Sequence, residues 1–183
     1  MIDIGPMPLP GRDAVETTIR LTERHVLALG LAVSGAFVVA AAATTVIGLA
    51  QGTGTWAGLH LALAGAATVA IGTFMPHFAV TLAGTRPAPS TQRLASLGLL
   101  AAGAVLAVLG TTVLDGRWAG AGSAVMVAGV LIVAWHTYRP SRDPLARRHV
   151  VVVVAYGLAL AQLAAGIVLG GLGSVGLDAI ATE

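Results

Sequence analysis

The sequence predicts an all-α integral membrane bundle of five helices, with the N terminus in the cytoplasm and the C terminus outside. Three observations carry this prediction. Of 183 residues, 56% are hydrophobic and only 10% are Asp, Glu, Lys or Arg, against about a quarter charged in ordinary soluble domains, which leaves too little polar surface to face water. Five apolar runs, at roughly residues 25–49, 57–83, 94–114, 119–138 and 149–172, reach the about 20 residues that a helix needs to cross the hydrocarbon layer. The ten basic residues are all Arg, and they sort to one side of those runs.

The elements follow in order. Residues 1–24 form a cytoplasmic N-terminal segment. Pro6, Pro8 and Pro10 stand where a cleavable signal would need its basic and apolar regions. Val15, Ile19 and Leu21, between Arg12 and Arg24, give a weak amphipathic stretch suited to the membrane surface. The transmembrane domain occupies 25–172, and its breaks carry helix-ending residues: Gly52 and Gly54, Pro87 and Pro89, Gly116, and Pro140 with Pro144. Residues 173–183, with Asp178 and Glu183, form an external tail.

Arg12, Arg20, Arg24, Arg86, Arg93, Arg139, Arg142, Arg147 and Arg148 fall in one set of loops, and Arg117 alone in the other. Because cytoplasmic loops retain basic residues, this split fixes the orientation and points to a multi-pass protein of the plasma membrane. Trp56 and Trp118 then sit at the outer interface, and Trp135 and Tyr138 at the inner one. The Arg are scattered and form no nucleic-acid patch. With Cys absent, disulfides, iron–sulfur clusters, thiolate zinc and a cysteine nucleophile are excluded.

Small residues mark helix faces. Gly65 and Gly72, Gly103 and Gly110, and Gly122 and Gly129 recur seven apart, and Gly166 and Gly170 form a GxxxG. Such faces admit a neighbouring helix or a flat cofactor close to the backbone, and they offer a route to homo- or hetero-oligomers. Thr44, Thr45, Thr68, Thr73, Thr111, Thr112, Ser123 and Gln162 are the polar groups within the runs, and they can bond carbonyls of their own helices. No Asp or Glu lies inside the runs so drawn, which disfavours a carrier built on a membrane carboxylate. No phosphate loop, HExxH or Asp-rich motif is present.

Chemistry therefore falls to five His. His25, His77, His136 and His149 gather toward the cytoplasmic leaflet, and His60 lies near the outer end of the second run. Seventeen residues at the helical rise separate His60 from His77 by roughly 25 Å, so the two cannot share a metal. A membrane haem b needs imidazoles from facing helices, small residues beside the porphyrin and cations for its propionates. His77 and His136 supply the ligands, Gly72 and Gly129 the small residues, and Arg86 and Arg139 the cations. Pro76 frees a carbonyl one turn back, next to His77. The same imidazoles, His25, His77, His136 and His149, also suit copper, whereas Met75 points away from His77 around the helix.

Residues 60–78, HLALAGAATVAIGTFMPHF, with VLIVAWH at 130–136 and a basic residue before the apolar run holding Tyr156, resemble the N-terminal membrane region of actinobacterial multicopper oxidases. More distantly they resemble the NnrS and haem-copper oxidase subunit I group. The resemblance covers about residues 20–172 and implies His60, His77 and His136 as haem or copper ligands. The chain carries neither a His-His pair nor a His-x-His motif, and no extramembrane copper domain.

The expectation is a b-type haem protein for electron transfer or redox or gas sensing, with a redox protein or quinone as partner in the lipid bilayer. The alternatives are a copper-handling protein using the same His, and a structural subunit of a larger membrane complex. Topology is open to direct test, since the chain has no cysteine of its own. In intact cells an impermeant maleimide labels Thr53→Cys, whereas Ser90→Cys reacts only after permeabilisation.

Overall fold

The computed structural model describes the backbone of residues 12–142 and 150–181, and side chains of 23–140 and 151–176. Among these residues the regular secondary structure is all helical, with no strand. Helix α1 spans Arg12–Gln51, α2 Trp56–His60, α3 Thr68–Ala83, α4 Ser90–Thr112, α5 Gly116–Tyr138 and α6 Val150–Ala181. A π-helical stretch, Leu61–Ala67, joins α2 to α3, and a 3₁₀ turn, Arg139–Arg142, follows α5. Five helical segments are long and apolar enough to cross a membrane: Glu23–Gln51, Trp56–Ala83, Ser90–Thr112, Gly116–Tyr138 and Val151–Gly176.

The breaks fall where the sequence marks them. Gly52 and Gly54 turn the chain after α1 with φ of 70° and 84°, a region that costs a residue without Cβ little. Asp115 caps α5 by accepting from the Arg117 N–H at 3.0 Å. Two boundaries differ from the sequence reading. The stretch from Arg12 to Arg24 belongs to one unbroken helix with the first apolar run, and α6 continues to Ala181, through most of the segment read as an external tail.

The interior is a thin seam of Val26, Phe37, Val69, Leu97, Leu100, Ala104, Met126, Val130, Val133 and Leu160. Large apolar residues such as Leu31, Val39, Leu63, Leu131 and Leu169 face outward. In water such a surface would be an interaction patch of unusual size; against lipid it is solvated. Helix α5 packs on α3, α4 and α6, while α1 packs on the α2–α3 segment and α4. Only 6% of the most apolar window of α6 is buried.

Glycine sets the closest approach. A Cβ on Gly103 would stand 2.7 Å from the Gly122 carbonyl oxygen, a Cβ on Gly122 would strike the Ala107 backbone, and one on Gly110 the Ala119 backbone. The faces drawn from glycine spacing on the third and fourth runs thus serve helix packing. Gly65 receives the Phe37 ring of α1. Gly166 and Gly170 have no atom within 4 Å of such a Cβ, so the GxxxG of α6 packs against none of the described residues.

Most intramembrane hydroxyls bond as expected to carbonyls of their own helices: Thr44 to Ala40, Thr73 to Val69, and Thr112 to Val108. The π stretch was not legible in the sequence. Around it Thr68 donates to the Leu63 carbonyl, five residues back, at 3.0 Å. Ser34 of α1 donates across to the Ala66 carbonyl at 2.9 Å.

Overpacking a tight core costs about 1–3 kcal/mol. Gly122→Leu is therefore expected to lower the thermal unfolding temperature in detergent, and Gly166→Leu to leave it unchanged.

Candidate functional site

Four helices each place an ionisable residue on or next to their inward face toward the Arg-rich end of the bundle. On α1, Glu23 continues the inward stripe of Val26, Gly30 and Phe37, at spacings of three, four and seven. On α4, Arg93 precedes Ser96, Leu97, Leu100 and Ala104 in the same way, and on α5 His136 follows Met126, Gly129 and Val133. On α3, His77 follows Val69, Gly72 and Thr73, directly after the buried Pro76.

Three of these residues meet at one carboxylate oxygen. Glu23 Oε1 accepts from His77 Nδ1 at 2.8 Å and from Arg93 Nη1 at 3.4 Å. The His77 side chain is 30% exposed and that of Glu23 21%. Arg93 is only 6% exposed and His136 5%. His136 feels the charges of both Arg93 and Arg139. Two nitrogens in this cluster, Arg93 Nη2 and His136 Nδ1, are fully buried with no hydrogen-bond partner. A buried ion pair is costly to break, since removing one partner strands the other. The cluster therefore ties α1, α3 and α4 together at this end.

The pairing also selects a tautomer for the neutral His77 ring. With its carboxylate beside a guanidinium, Glu23 is an acceptor only, so Nδ1 carries the proton and Nε2 keeps its lone pair in the neutral ring. His60, at the opposite end, is set likewise: Nδ1 donates to the Trp56 carbonyl at 2.9 Å, and the two rings stack at 3.7 Å. His60 immediately precedes the π stretch, an irregularity often found at functional sites.

The sequence-derived candidates are thus distributed unevenly. His77 and His136 lie at the same end and share Arg93 as neighbour. His25 is exposed on α1, Arg86 and Arg139 are exposed at the loops following α3 and α5, and His149 lies outside the described residues. Among the described residues no three of His, Asp or Glu group as a metal site. Met75 packs partly buried against the core. Glu23 and Arg93 are the residues that reading the sequence missed. Glu23 lies outside the first run as drawn from residue 25, and its contacts bring a carboxylate onto the end of the bundle. Arg93 was taken only as a marker of topology, yet its side chain is turned inward. Their registers on the apolar stripes were the available signal.

A haem between His77 and His136 can be tested against this packing. Leu100, 1% exposed, stands 2.5 Å from a Cβ built on Gly72 and 2.9 Å from one on Gly129, so it fills the gap that those glycines open. Closer to the imidazoles, the Glu23–Arg93 pair occupies the link between His77 and His136. A recess of about 570 Å³ between α1 and α4 is lined by Val33, Phe37, Ala101, Val105 and Leu109 and contains no His. A porphyrin clamped between both imidazoles does not fit the bundle interior. A cofactor bound from the exposed side of His77 does not meet that obstacle.

Comparison with protein families, curated proteins and solved structures gives no match. The resemblance at residues 60–78 and 130–136 therefore rests on those residues alone.

The ion pair is open to a double-mutant cycle. Glu23→Gln and Arg93→Gln are each expected to cost about 2–3 kcal/mol, as losses of hydrogen bonds to charged groups. The double variant should recover about 1–3 kcal/mol of their sum, read from unfolding in detergent mixtures.

Proposed function

We propose that this chain is a multi-pass membrane protein that carries a b-type haem on the imidazole of His77 and works in electron transfer or in sensing redox state or a diatomic gas. The observation that carries the reading is the 2.8 Å bond from His77 Nδ1 to Glu23. Ligating histidines are commonly held this way, with a carboxylate on one nitrogen fixing the tautomer and raising the basicity of the other. Arg93, on the same carboxylate oxygen, holds Glu23 in place. Arg86 and Arg139, exposed at this end, provide cations for the propionates.

When bound, haem supplies the redox couple and the iron that meets a gas. The chain's own part is to present one neutral nitrogen at a set orientation, in a local field set by Glu23, Arg93 and Arg139. With His136 buried, the cluster at this end offers one ready imidazole among the described residues, which suits sensing better than a two-imidazole electron carrier. In this reading the Arg-rich end faces the cytoplasm across the plasma membrane, and a redox protein or a quinone meets the site there. Copper handling is less well supported, because His77 and Glu23 have no third metal-binding neighbour among the described residues. A role as a structural subunit is favoured by one separate observation, the open face of α6 with Gly166 and Gly170.

Protein expressed with ample haem should show a Soret band in oxidised and reduced spectra. His77→Ala should abolish the band, and Glu23→Gln should lower haem affinity about 10- to 100-fold. His25→Ala and His60→Ala should leave it unchanged. A wild-type protein without a Soret band overturns the haem reading and leaves the structural subunit. A band lost in His60→Ala but retained in His77→Ala moves the site to the opposite end.

A further inference from the structure

Behind His77 lies a second arrangement that the haem reading does not use. Arg93 Nη2 and His136 Nδ1 are both fully buried and both lack a partner, on side chains that are more than nine-tenths buried. Arg93 satisfies one arm of its fork on Glu23 and leaves the other without an acceptor. A guanidinium nitrogen can only donate. A buried donor without a partner carries the full desolvation cost of that group. The antiparallel register of α4 and α5, in which Leu100 meets Gly129 and Gly110 meets Ala119, sets Arg93 opposite His136, and Arg139 stands exposed at the rim beyond them. Among the described residues the carboxylate in contact is Glu23, whose bonded oxygen is directed to His77 and Arg93 Nη1. Of the described residues Glu23, Arg93 and Arg139, with the imidazoles neutral, carry a net charge of one positive.

We propose that Arg93 Nη2 and His136 Nδ1 form an oxyanion site, one that takes a phosphate group between α4 and α5 at the Arg-rich end. A phosphate oxygen accepts from both nitrogens at once, with His136 in the tautomer that protonates Nδ1. The flat fork of Arg suits such an oxygen pair. Water could satisfy the two hydrogen bonds but supplies no counter-charge to Arg93, whose only carboxylate oxygen is shared with His77, whereas a phosphate group does. The phosphate can come from solution or from the head group of an anionic lipid, since the site lies at the helix ends. The site shares Arg93 with the haem reading but uses its other nitrogen, and it does not require His77 to hold a haem.

The test uses haem-free full chain in phosphatidylcholine nanodiscs, titrated with inorganic phosphate by calorimetry, and in parallel nanodiscs containing phosphatidylglycerol, with retained lipid read by native mass spectrometry. One saturable phosphate group per chain is expected. Binding of inorganic phosphate identifies a free anion, and retention of phosphatidylglycerol that phosphate does not displace identifies a lipid head group. His136→Leu should weaken binding about tenfold or more, as expected for loss of a hydrogen bond to a charged group. His136→Asn, which restores an N–H, should recover most of it. Glu23→Gln, which removes the competing carboxylate, should tighten it. Thermal unfolding of each variant separates lost binding from lost fold. The proposal is overturned if neither probe saturates, or if His136→Leu binds as the wild type does. It is equally overturned if Asp143→Asn tightens binding, which would make the chain's own carboxylate the occupant.

Discussion

Helices α4 and α5 approach until backbone meets backbone, and the rest of the bundle is arranged around that contact. Lipid is as apolar as leucine, so burying apolar surface gives helices in a membrane little reason to associate. Close dispersion contact has to take its place, and here it depends on three residues without side chains, Gly103, Gly110 and Gly122. Helix α5, fixed by that seam, is then the surface on which α3 and α6 pack. The same seam sets the height of Arg93 relative to His136, because each lies on the extension of a stripe that the glycines belong to.

The chemistry of the Arg-rich end follows from how little polarity the chain carries. A carboxylate, a guanidinium and two imidazoles converge in a protein with few charges, and their bonds are shared. One oxygen of Glu23 serves both a histidine and an arginine. That sharing gives His77 a defined tautomer and a free nitrogen, and it leaves Arg93 with an unused donor facing His136. The first consequence bears on the proposed haem ligand and the second on the proposed oxyanion site. They meet at Arg93, so the charge of one site is felt at the other.

Much of the architecture was legible in the sequence because membrane spans announce themselves by length and hydropathy. Apolar length and the Gly and Pro breaks located five segments to within a few residues. What the apolar runs concealed was register. Glu23 and Arg93 read as loop charges because they flank runs, whereas their spacing to Val26 and Leu97 sets them on the buried face. The glycines at 72 and 129 read as a cofactor slot, since spacing cannot tell an open groove from one filled by a leucine of the helix between them in sequence. The π stretch had no compositional mark at all. Its cause lies partly in Ser34 and Thr68, whose hydroxyls meet carbonyls there, and one of these partners is on another helix.

The π stretch has a geometric consequence for the second crossing. A wider turn works like one surplus residue in the helical count, and it rotates everything before it relative to everything after it. The ring pair of Trp56 and His60 therefore keeps an azimuth of its own, independent of the one that aims His77 at Glu23. The two histidines share a helix in name but behave as fittings on two shafts joined by a coupling, so either end can be re-aimed through residues 61–67 without disturbing the other.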